Sequence, residues 1–539
     1  MKKYAKNLFV AVLAGLGLVS CVNDLNTEPI DPNTKQTFDQ DMVFRKIYTG
    51  FSTSGQVGPS GDCDIIANDE GYSVFWRVNF WCNELPTDAG WWIWGSSDAG
   101  CSNLLELTDI TSENQFLSLL YNRLTFNVAL TNHFLDETEG KTDDKTKQQR
   151  AEVRFVRALN YYYLMDFFAN PPFKTTVKNI DLPTRILRAD LFDWIVKELE
   201  ECQPDMAVDI HFYRASQSAA DMLLMRLYLN AEVYTGAPQW EKAAEYAKKV
   251  MDKYPLAENY AQLFMGDNDK NPSAQEVVFM LPQDGIEVQS YGGSSCMVSM
   301  TRSEKLINAI PAGSTEKWEC WRATPELILA FIDKDSIGKP NFIGAVDEIT
   351  KAAGDDRAMF CNKAGDFEAG FEGPAEYGTG NFEKCWSILK WTGIYSDGVS
   401  WGSDNSYVDT DIPFMRSGEA YMTYAEALYR QGKKADALSI INDNIRKRAH
   451  AAPLTELNDE TLLAEWLREF YCEGRRRIDL VRFGQFAGDK ATMHWEGRGK
   501  QPSSVSGGHL VKVPVYYNIY PIPNSDIIAN KNLKQNDGY

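Results

Sequence analysis

Apolar residues recurring at three- and four-residue steps, softened by alanines and closed by glycine, constrain this chain more than any other feature. In "AADMLLMRLYLNAEVYTG" Ala220, Leu223, Leu224, Leu227 and Ala231 form one stripe and Gly236 supplies the stop; Trp240, Ala243, Ala244, Ala247, Val250 and Met251 then form a second. Two such helices across a short turn make a hairpin of tetratricopeptide size. The plan returns in "SGEAYMTYAEALYRQGKKADALSIINDNIRKRAH", where Tyr421, Tyr424, Ala425 and Leu428 precede Gly432, and Ala435, Leu438, Ile441 and Ile445 follow it. In "AEVRFVRALNYYYLMDFF" the stripe is Val153, Val156, Leu159, Tyr163 and Phe167, and Asn170-Pro171-Pro172 ends the run. With further helical patterns at about 113–138, 188–202 and 458–473, the spacing predicts about eight helices in four hairpins. The fold class expected is mainly α, a tetratricopeptide-like scaffold over about 113–255 and 415–480.

From 22 to 105 and from 260 to 415 the helical period fades, and Gly, Asp, Ser, Pro and aromatic residues crowd together. Irregular insertions on a rigid scaffold are where binding groups tend to sit. Neither a Pro/Gly-rich linker nor a low-complexity run divides the chain, so residues 21–539 are expected to form one body. Residues 1–20 read as a signal segment, because Lys2, Lys3 and Lys6 precede an apolar run from Leu8 to Leu18 that is too short to span a bilayer. The run ends in Leu18-Val19-Ser20-Cys21, the pattern of a bacterial lipobox in which Cys21 is acylated; the alternative is an ordinary secretory signal.

A formal net charge of −20 argues against nucleic acid as a partner, since phosphate binding needs clustered cations and no cluster stands out beyond Arg475, Arg476 and Arg477. The five histidines, at 133, 211, 450, 494 and 509, form no metal-ligand spacing, and the cysteines beyond Cys21 are scattered without a C-x-x-C. Most of those thiols are expected to be buried and free, with one or two bridges left open. No nucleophile elbow, phosphate loop or dinucleotide fingerprint is present, and no cofactor is implied. Asp355 and Asp356 form a carboxylate pair of the kind a glycosidase needs, but a chain with 75 acidic residues supplies such pairs by chance. The 14 Trp and 25 Tyr are more informative, because many fall in the irregular regions. The C–H faces of a sugar ring stack on an indole or phenol while its hydroxyls seek polar partners at the rim.

Several longer stretches together carry a resemblance. The lipobox, "AEVRFVRALNYYYLMDFF", "RLYLNAEVYTGAPQWEKAAEYAKKV", "AGDDRAMF", "REFYCEGRRRIDLVRFGQF" and the terminal "YPIPNSDIIANKNLKQNDGY" resemble the SusD/RagB family of surface glycan-binding lipoproteins of Bacteroidetes. "NELPTDAGWWIWG" and "YGGS" are most similar to its starch-binding branch. The resemblance implies a helical scaffold docked on a SusC-like TonB-dependent transporter in the outer membrane, and an irregular lobe that binds starch or malto-oligosaccharide without cleaving it. It puts an arc of three rings on Trp94, Tyr291 and Trp318, matched to the curve of an α-1,4-glucan, and a sugar-binding arginine on Arg77, whose other available role is to bridge loop carbonyls. Asp69, Ser97 and Asp98 are the further hydrogen-bonding candidates; the last two stand in a shortened segment where the family's starch site has an asparagine. Trp91 and Trp92 are expected to pack beneath the loop. Whether a structural metal ion is present is left open, and the rival readings are a peptide-binding member of the same fold and a glycoside hydrolase.

Since the signal segment is the only apolar run that could hold the chain on a membrane, Cys21→Ser is expected to yield a folded protein that no longer fractionates with the outer membrane. Retention through high-salt and carbonate washes, in cells lacking any partner transporter, would show that anchoring does not depend on the lipid.

Overall fold

Each long amphipathic stretch is a helix in the computed structural model of the protein, which describes residues 38–56, 58–60, 63–94, 100–371, 382–489, 491 and 513–539. The chain divides into two compact units, Met1–Val43 and Phe44–Tyr539. Residues 38–43 of the first are described, and the helix Gln40–Thr49 begins among them. Cys21, Ser97 and Asp98 lie outside the described residues.

The second unit carries α1 (Phe75–Glu84), α2 (Gln115–Glu137), α3 (Asp144–Phe168), α4 (Arg188–Cys202), α5 (Gln217–Leu229) and α6 (Trp240–Met251), then α7 (Ser417–Arg430), α8 (Lys434–Ile440), α9 (Asp459–Phe470) and α10 (Arg476–Arg482). Their starts are capped by side chains that satisfy otherwise orphaned backbone N–H groups: Asn114 accepts from Phe116 and Leu117, Asp143 from Thr146, Ser216 from Ala219, and Asn458 from Thr461. Gly236 and Gly432 close two of the hairpin turns with φ of 78° and 82°, a left-handed backbone that other residues adopt at a cost. Neighbouring helices pack in sequence order, α2 on α3, α3 on α4, α5 on α6 and α7 on α8. Helix α6 also packs on α7 across the whole of segment 252–416, with Ala243, Ala247 and Ala420 fully buried. The scaffold is therefore continuous, and the intervening segment is extruded from it.

That segment leaves and returns through one ladder. Strand β2 (Val277–Leu281) pairs antiparallel with β4 (Ile412–Arg416), setting Leu281 opposite Ile412 and Val277 opposite Arg416. A second short pair joins β1 (Trp91–Trp92) to β3 (Trp321–Arg322), so the two irregular regions of the sequence meet each other.

One expectation needs correction. Helix α1 lies inside the region 22–105 read as irregular, and every residue from Phe75 to Glu84 is buried. A helix covered on all sides needs no polar face, so its sequence, "FWRVNFWCNE", lacks the amphipathic period by which the others were found. Of the nine described cysteines all but Cys63 are buried, and burial pushes the Cys296 and Cys361 thiols up to about 11. Arg475, Arg476 and Arg477 do not form a surface patch. They reach inward to Glu419 and Asp479, to Asp88, and to Asp166. No helix among the described residues is long and apolar enough to cross a membrane.

The lobe is fastened to the scaffold by buried ions. The Glu469 carboxylate, on α9, receives Arg357 at 3.1 Å, Arg416 at 2.7 Å and Arg448 at 2.5 Å. Arg357 also pairs with Asp355 and Glu465, each at 2.8 Å, and Arg416 with Glu276 and Glu473, each at 2.8 Å. The pair Asp355 and Asp356 is thereby split: the first is buried against Arg357, and the second is exposed and meets His450 at 2.7 Å. Two carboxyls so differently employed do not make a glycosidase dyad.

Burial alone would raise the Glu465 carboxyl, but Arg357, Arg468 and Arg446 outweigh it and hold the group down at about 2. The folded state thus binds fewer protons than the unfolded one between about pH 4.5 and pH 2, so this contribution is present above that window and is lost as pH falls through it. Arg357→Met, which leaves Glu465 and Glu469 short of a partner, is expected to cost about 3–5 kcal/mol in urea denaturation at pH 7 and to flatten the loss of stability between pH 4.5 and pH 2.

Candidate functional site

Trp94, Trp318 and Tyr291 come from segments far apart in sequence, and three local devices bring them to one face. The first is the β1/β3 pair. Trp91 lies opposite Arg322 and Trp92 opposite Trp321, and the Ile93 N–H continues the ladder to the Cys320 carbonyl at 2.9 Å. Trp94 therefore leaves the ladder on the side from which Trp318 enters it. Gly90 is required here, because a Cβ at that position would stand 2.2 Å from the Trp321 ring.

The second device ties Trp318 to Tyr291. The Trp318 N–H donates to the Ser299 carbonyl at 2.8 Å, and those of Cys320 and Trp321 to the Met300 carbonyl, so the Trp318 segment lies along the turn of helix that follows Tyr291-Gly292-Gly293. Glu319 adopts φ of 53°, a left-handed conformation unusual for a residue with a Cβ, beside the ring that the sequence singles out. The third device is Glu70, whose carboxylate accepts from the Tyr291 N–H at 3.1 Å and from the Ser290 hydroxyl at 3.2 Å.

Arg77 sits beneath these segments with 3 % of its surface exposed. Its Nη1 donates to Asp69 Oδ1 and to the Tyr291 carbonyl, both at 3.2 Å, while its guanidinium lies 4.5 Å from the ring centres of Tyr72 and Trp81 and 5.1 Å from that of Trp318. Arg77 thus joins the Asp69 carboxylate to the Tyr291 carbonyl. The rings continue on both sides of it. Trp81 meets Trp92 at 5.3 Å and Trp92 meets Trp94 at 5.4 Å; Trp318 meets Tyr291 at 5.8 Å and Tyr291 meets Tyr407 at 4.7 Å. One continuous series of contacts therefore runs from Trp94 through Trp92, Trp81, Arg77, Trp318 and Tyr291 to Tyr407.

Within this series the buried members support and the others face solvent. Trp91, Trp92 and Trp81 are buried, as expected of the first two; Trp94 is 40 % exposed, and Trp318, Tyr291 and Tyr407 are half-buried. Asp69 caps the turn before Tyr72 by accepting from the Gly71 N–H at 2.8 Å, and leaves 45 % of its side chain in solvent. The Trp318 and Tyr291 planes are inclined by 52° and those of Tyr291 and Tyr407 by 42°. Such a surface suits a ligand that turns as it passes from ring to ring. Among the described residues no group of three or more His, Cys, Asp and Glu is arranged to hold a metal ion.

The sequence reading missed Tyr407. Its position follows from the β2/β4 ladder, which is prolonged beyond its last backbone pair by side chains: the Gln283 N–H donates to Asp411 at 2.6 Å and the Gly285 N–H to Asp409 at 2.9 Å. The two strand extensions then deliver Tyr291 and Tyr407 to each other. Burial, followed by a hydrogen bond shared with Tyr291, pushes the Tyr407 phenol up. No local signal marks this residue. Trp81, by contrast, stands four positions after Arg77 on one helix and could have been paired with it by spacing.

The chain matches two family models, one described as the SusD family over residues 275–539 and one as "starch-binding associating with outer membrane" over residues 85–229. It is 41 % identical to the starch-binding protein SusD of Bacteroides thetaiotaomicron, over 100 % of this chain and 99 % of that one. Among solved structures, a surface glycan-binding protein A from Bacteroides uniformis is similar with a TM-score of 0.66 at 17 % identity, covering 92 % of this chain and 98 % of that one. A SusD-like carbohydrate-binding protein from Bacteroides fragilis gives 0.67 at 18 % identity, with the same coverage of 92 % and 98 %. At those identities the two structures speak for the fold alone.

Arg77→Met keeps the stem packed but removes the Nη1 donor shared by Asp69 and the Tyr291 carbonyl. The variant is expected to lose about 1–3 kcal/mol of stability, read as a lowered melting temperature, together with a change in near-ultraviolet circular dichroism as the rings above it lose their common support.

Proposed function

The chain belongs to the SusD family, and on that premise we propose that it binds starch or malto-oligosaccharide at the cell surface without cleaving it. The observation that carries this reading is the inclined set Trp318, Tyr291 and Tyr407, joined to Trp94 through buried Arg77 and its neighbours. A flat polysaccharide asks for coplanar rings. An α-1,4-glucan turns continuously, and rings held at successive angles can each meet the apolar face of a different glucose. In this proposal Trp94, Trp318 and Tyr291 stack on the sugar and Asp69 accepts from hydroxyls at the rim. Ser97 and Asp98 remain candidates for the same task. Arg77 acts chiefly from below, by fixing the distance between the rings.

Three stacked rings at about 1–2 kcal/mol each supply roughly 3–6 kcal/mol before ordering costs, which puts binding on the order of tens of micromolar to millimolar. Weak binding suits a protein that must release what it captures. We infer that the recipient is a SusC-like TonB-dependent transporter and that a lipid on Cys21 holds the protein at the outer membrane beside it. A peptide ligand is the less favoured occupant, because a peptide backbone needs a groove of polar partners and this face offers rings.

Isothermal titration with single-site variants tests the proposal. Trp94→Ala, Trp318→Ala and Tyr291→Ala are each expected to weaken starch binding at least tenfold, whereas Trp91→Ala should chiefly lower thermal stability. A cyclic α-glucan, already bent, is expected to bind at least as well as a linear chain of similar length. Salt should have little effect, since a neutral ligand displaces no counterions. Tighter binding of a linear β-1,4-glucan, release of reducing ends from amylopectin, or full starch binding by both Trp94→Ala and Trp318→Ala would each overturn the assignment.

A further inference from the structure

Away from the aromatic face, the α2/α3 hairpin carries two adjoining cavities that the glycan reading does not use. One, of about 370 Å³, is lined by Arg150, Arg154 and Arg157 from a single face of α3. The other, of about 150 Å³, is an apolar groove formed by Val128, Ala129, Leu164, Pro172, Val177 and Pro183. The wall between them is held by Arg157, which donates to Asn132 at 2.9 Å and to the Thr175 carbonyl at 3.2 Å.

The ion pairs of the larger cavity do not balance evenly. Its acidic lining is already engaged: Asp136 accepts from the Thr176 hydroxyl and the Val177 N–H, Glu139 pairs with Lys178, and Asp205 pairs with Lys147 at 2.8 Å. Arg154 is satisfied by Glu198 and Glu201, each at 2.7 Å, and Arg157 by Glu198 at 2.5 Å. Arg150 differs. Its Nη1 donates to the Leu135 carbonyl and the Thr138 hydroxyl, both at 2.7 Å, and among the described residues it has no carboxylate partner. Burial and then the charge of Arg154 depress its affinity for its proton, against the opposing charges of Glu139 and Asp136.

Beside this cation the strap 174–183 exposes apolar side chains that it had no need to expose. Lys174 Nζ donates to the Asn179 and Asp181 carbonyls and Asp136 holds the Thr176–Val177 end, so the strap is fastened at both ends; yet Ile180 is 100 % exposed, and Val177 and Leu182 are partly so. A polar loop would have served equally well as a connection. A cation with no carboxylate in ion-pair contact among the described residues, an apolar groove and an exposed aliphatic strap, contiguous on one face, are the complement of a chain segment with both kinds of side chain.

We propose that this face of the α2/α3 hairpin docks an extended segment of a partner protein in which a carboxylate side chain stands beside an aliphatic one, the carboxylate reaching Arg150 and the aliphatic group entering the groove at Val177. A neutral glycan carries no charge to match that of Arg150, and a net charge of −20 repels a polyanion while leaving a single carboxylate acceptable. The proposal is independent of the starch reading.

Fluorescence anisotropy with a labelled peptide, Ser-Gly-Leu-Glu-Asp-Leu-Gly-Ser, and its amide counterpart, Ser-Gly-Leu-Gln-Asn-Leu-Gly-Ser, tests it on the purified protein. The acidic peptide is expected to bind at least fivefold more tightly than the amide form. Arg150→Gln should weaken it about tenfold and Val177→Ser about threefold, with starch binding unchanged in both variants. Arg150→Lys should recover part of the loss, which separates a charge contact from a folding defect. Equal affinity for the two peptides, indifference to Arg150→Gln, or no saturable binding of either would overturn the proposal. So would tighter binding of an oligothymidine or of anionic vesicles than of the acidic peptide, since that assigns the face to another class of anion.

Discussion

Glu469 is where the two halves of this architecture are joined. Its carboxylate, buried on α9, receives guanidinium groups from Arg448, which follows the α7/α8 hairpin; from Arg416, at the end of the ladder that closes the lobe; and from Arg357, inside the lobe. An isolated charge at that depth would be prohibitively costly, and three cations in the same place would be worse. Each group is tolerable only with the others present, so scaffold, ladder and lobe must assemble together. Buried ion pairs add little net stability over a well-packed apolar core, but they are unforgiving about geometry, and here geometry is what the aromatic face requires.

The consequence travels through the ladder. With Arg416 locked by Glu276, Glu469 and Glu473, the β2/β4 pair has a fixed register, and its side-chain extension through Asp411 and Asp409 sets where Tyr291 and Tyr407 emerge. On the other side the β1/β3 pair fixes Trp94 against the Trp318 segment. Arg77 then closes the gap between the two systems, with Trp81 and Tyr72 below it and Trp318 beside it. In the proposed binding role, a face assembled this way pays little ordering cost when a ligand arrives, which lets a few stacking contacts give useful but reversible affinity.

Parts of this were legible in the residues. The hairpins were, because alanine-rich stripes with glycine stops report helix pairs independently of what surrounds them. So, through the resemblance, was the division of labour in "GWWIWG": it set Trp94 apart from Trp91 and Trp92, and the latter two are buried while Trp94 is exposed. Helix α1 was hidden by its complete burial, since periodicity records the boundary with water and α1 has none. Tyr407 was hidden for another reason. Its significance lies in a contact with Tyr291 across more than a hundred residues, and no spacing rule spans that distance.

What the sequence determined by itself is therefore the local half of the protein: where helices begin and end, which faces are apolar, that no recognisable catalytic motif is present, and, through long matching motifs, the family. Those properties depend on a few neighbouring residues and survive in one dimension. The tertiary structure alone decided that Asp355 and Asp356 are separately employed, that Arg77 lies beneath the rings as their support, and that the aromatic face continues to Tyr407. Each of these turns on which distant group fills the space next to a side chain. Burial and charge compensation are properties of that neighbourhood, and they exist only once the chain has closed on itself.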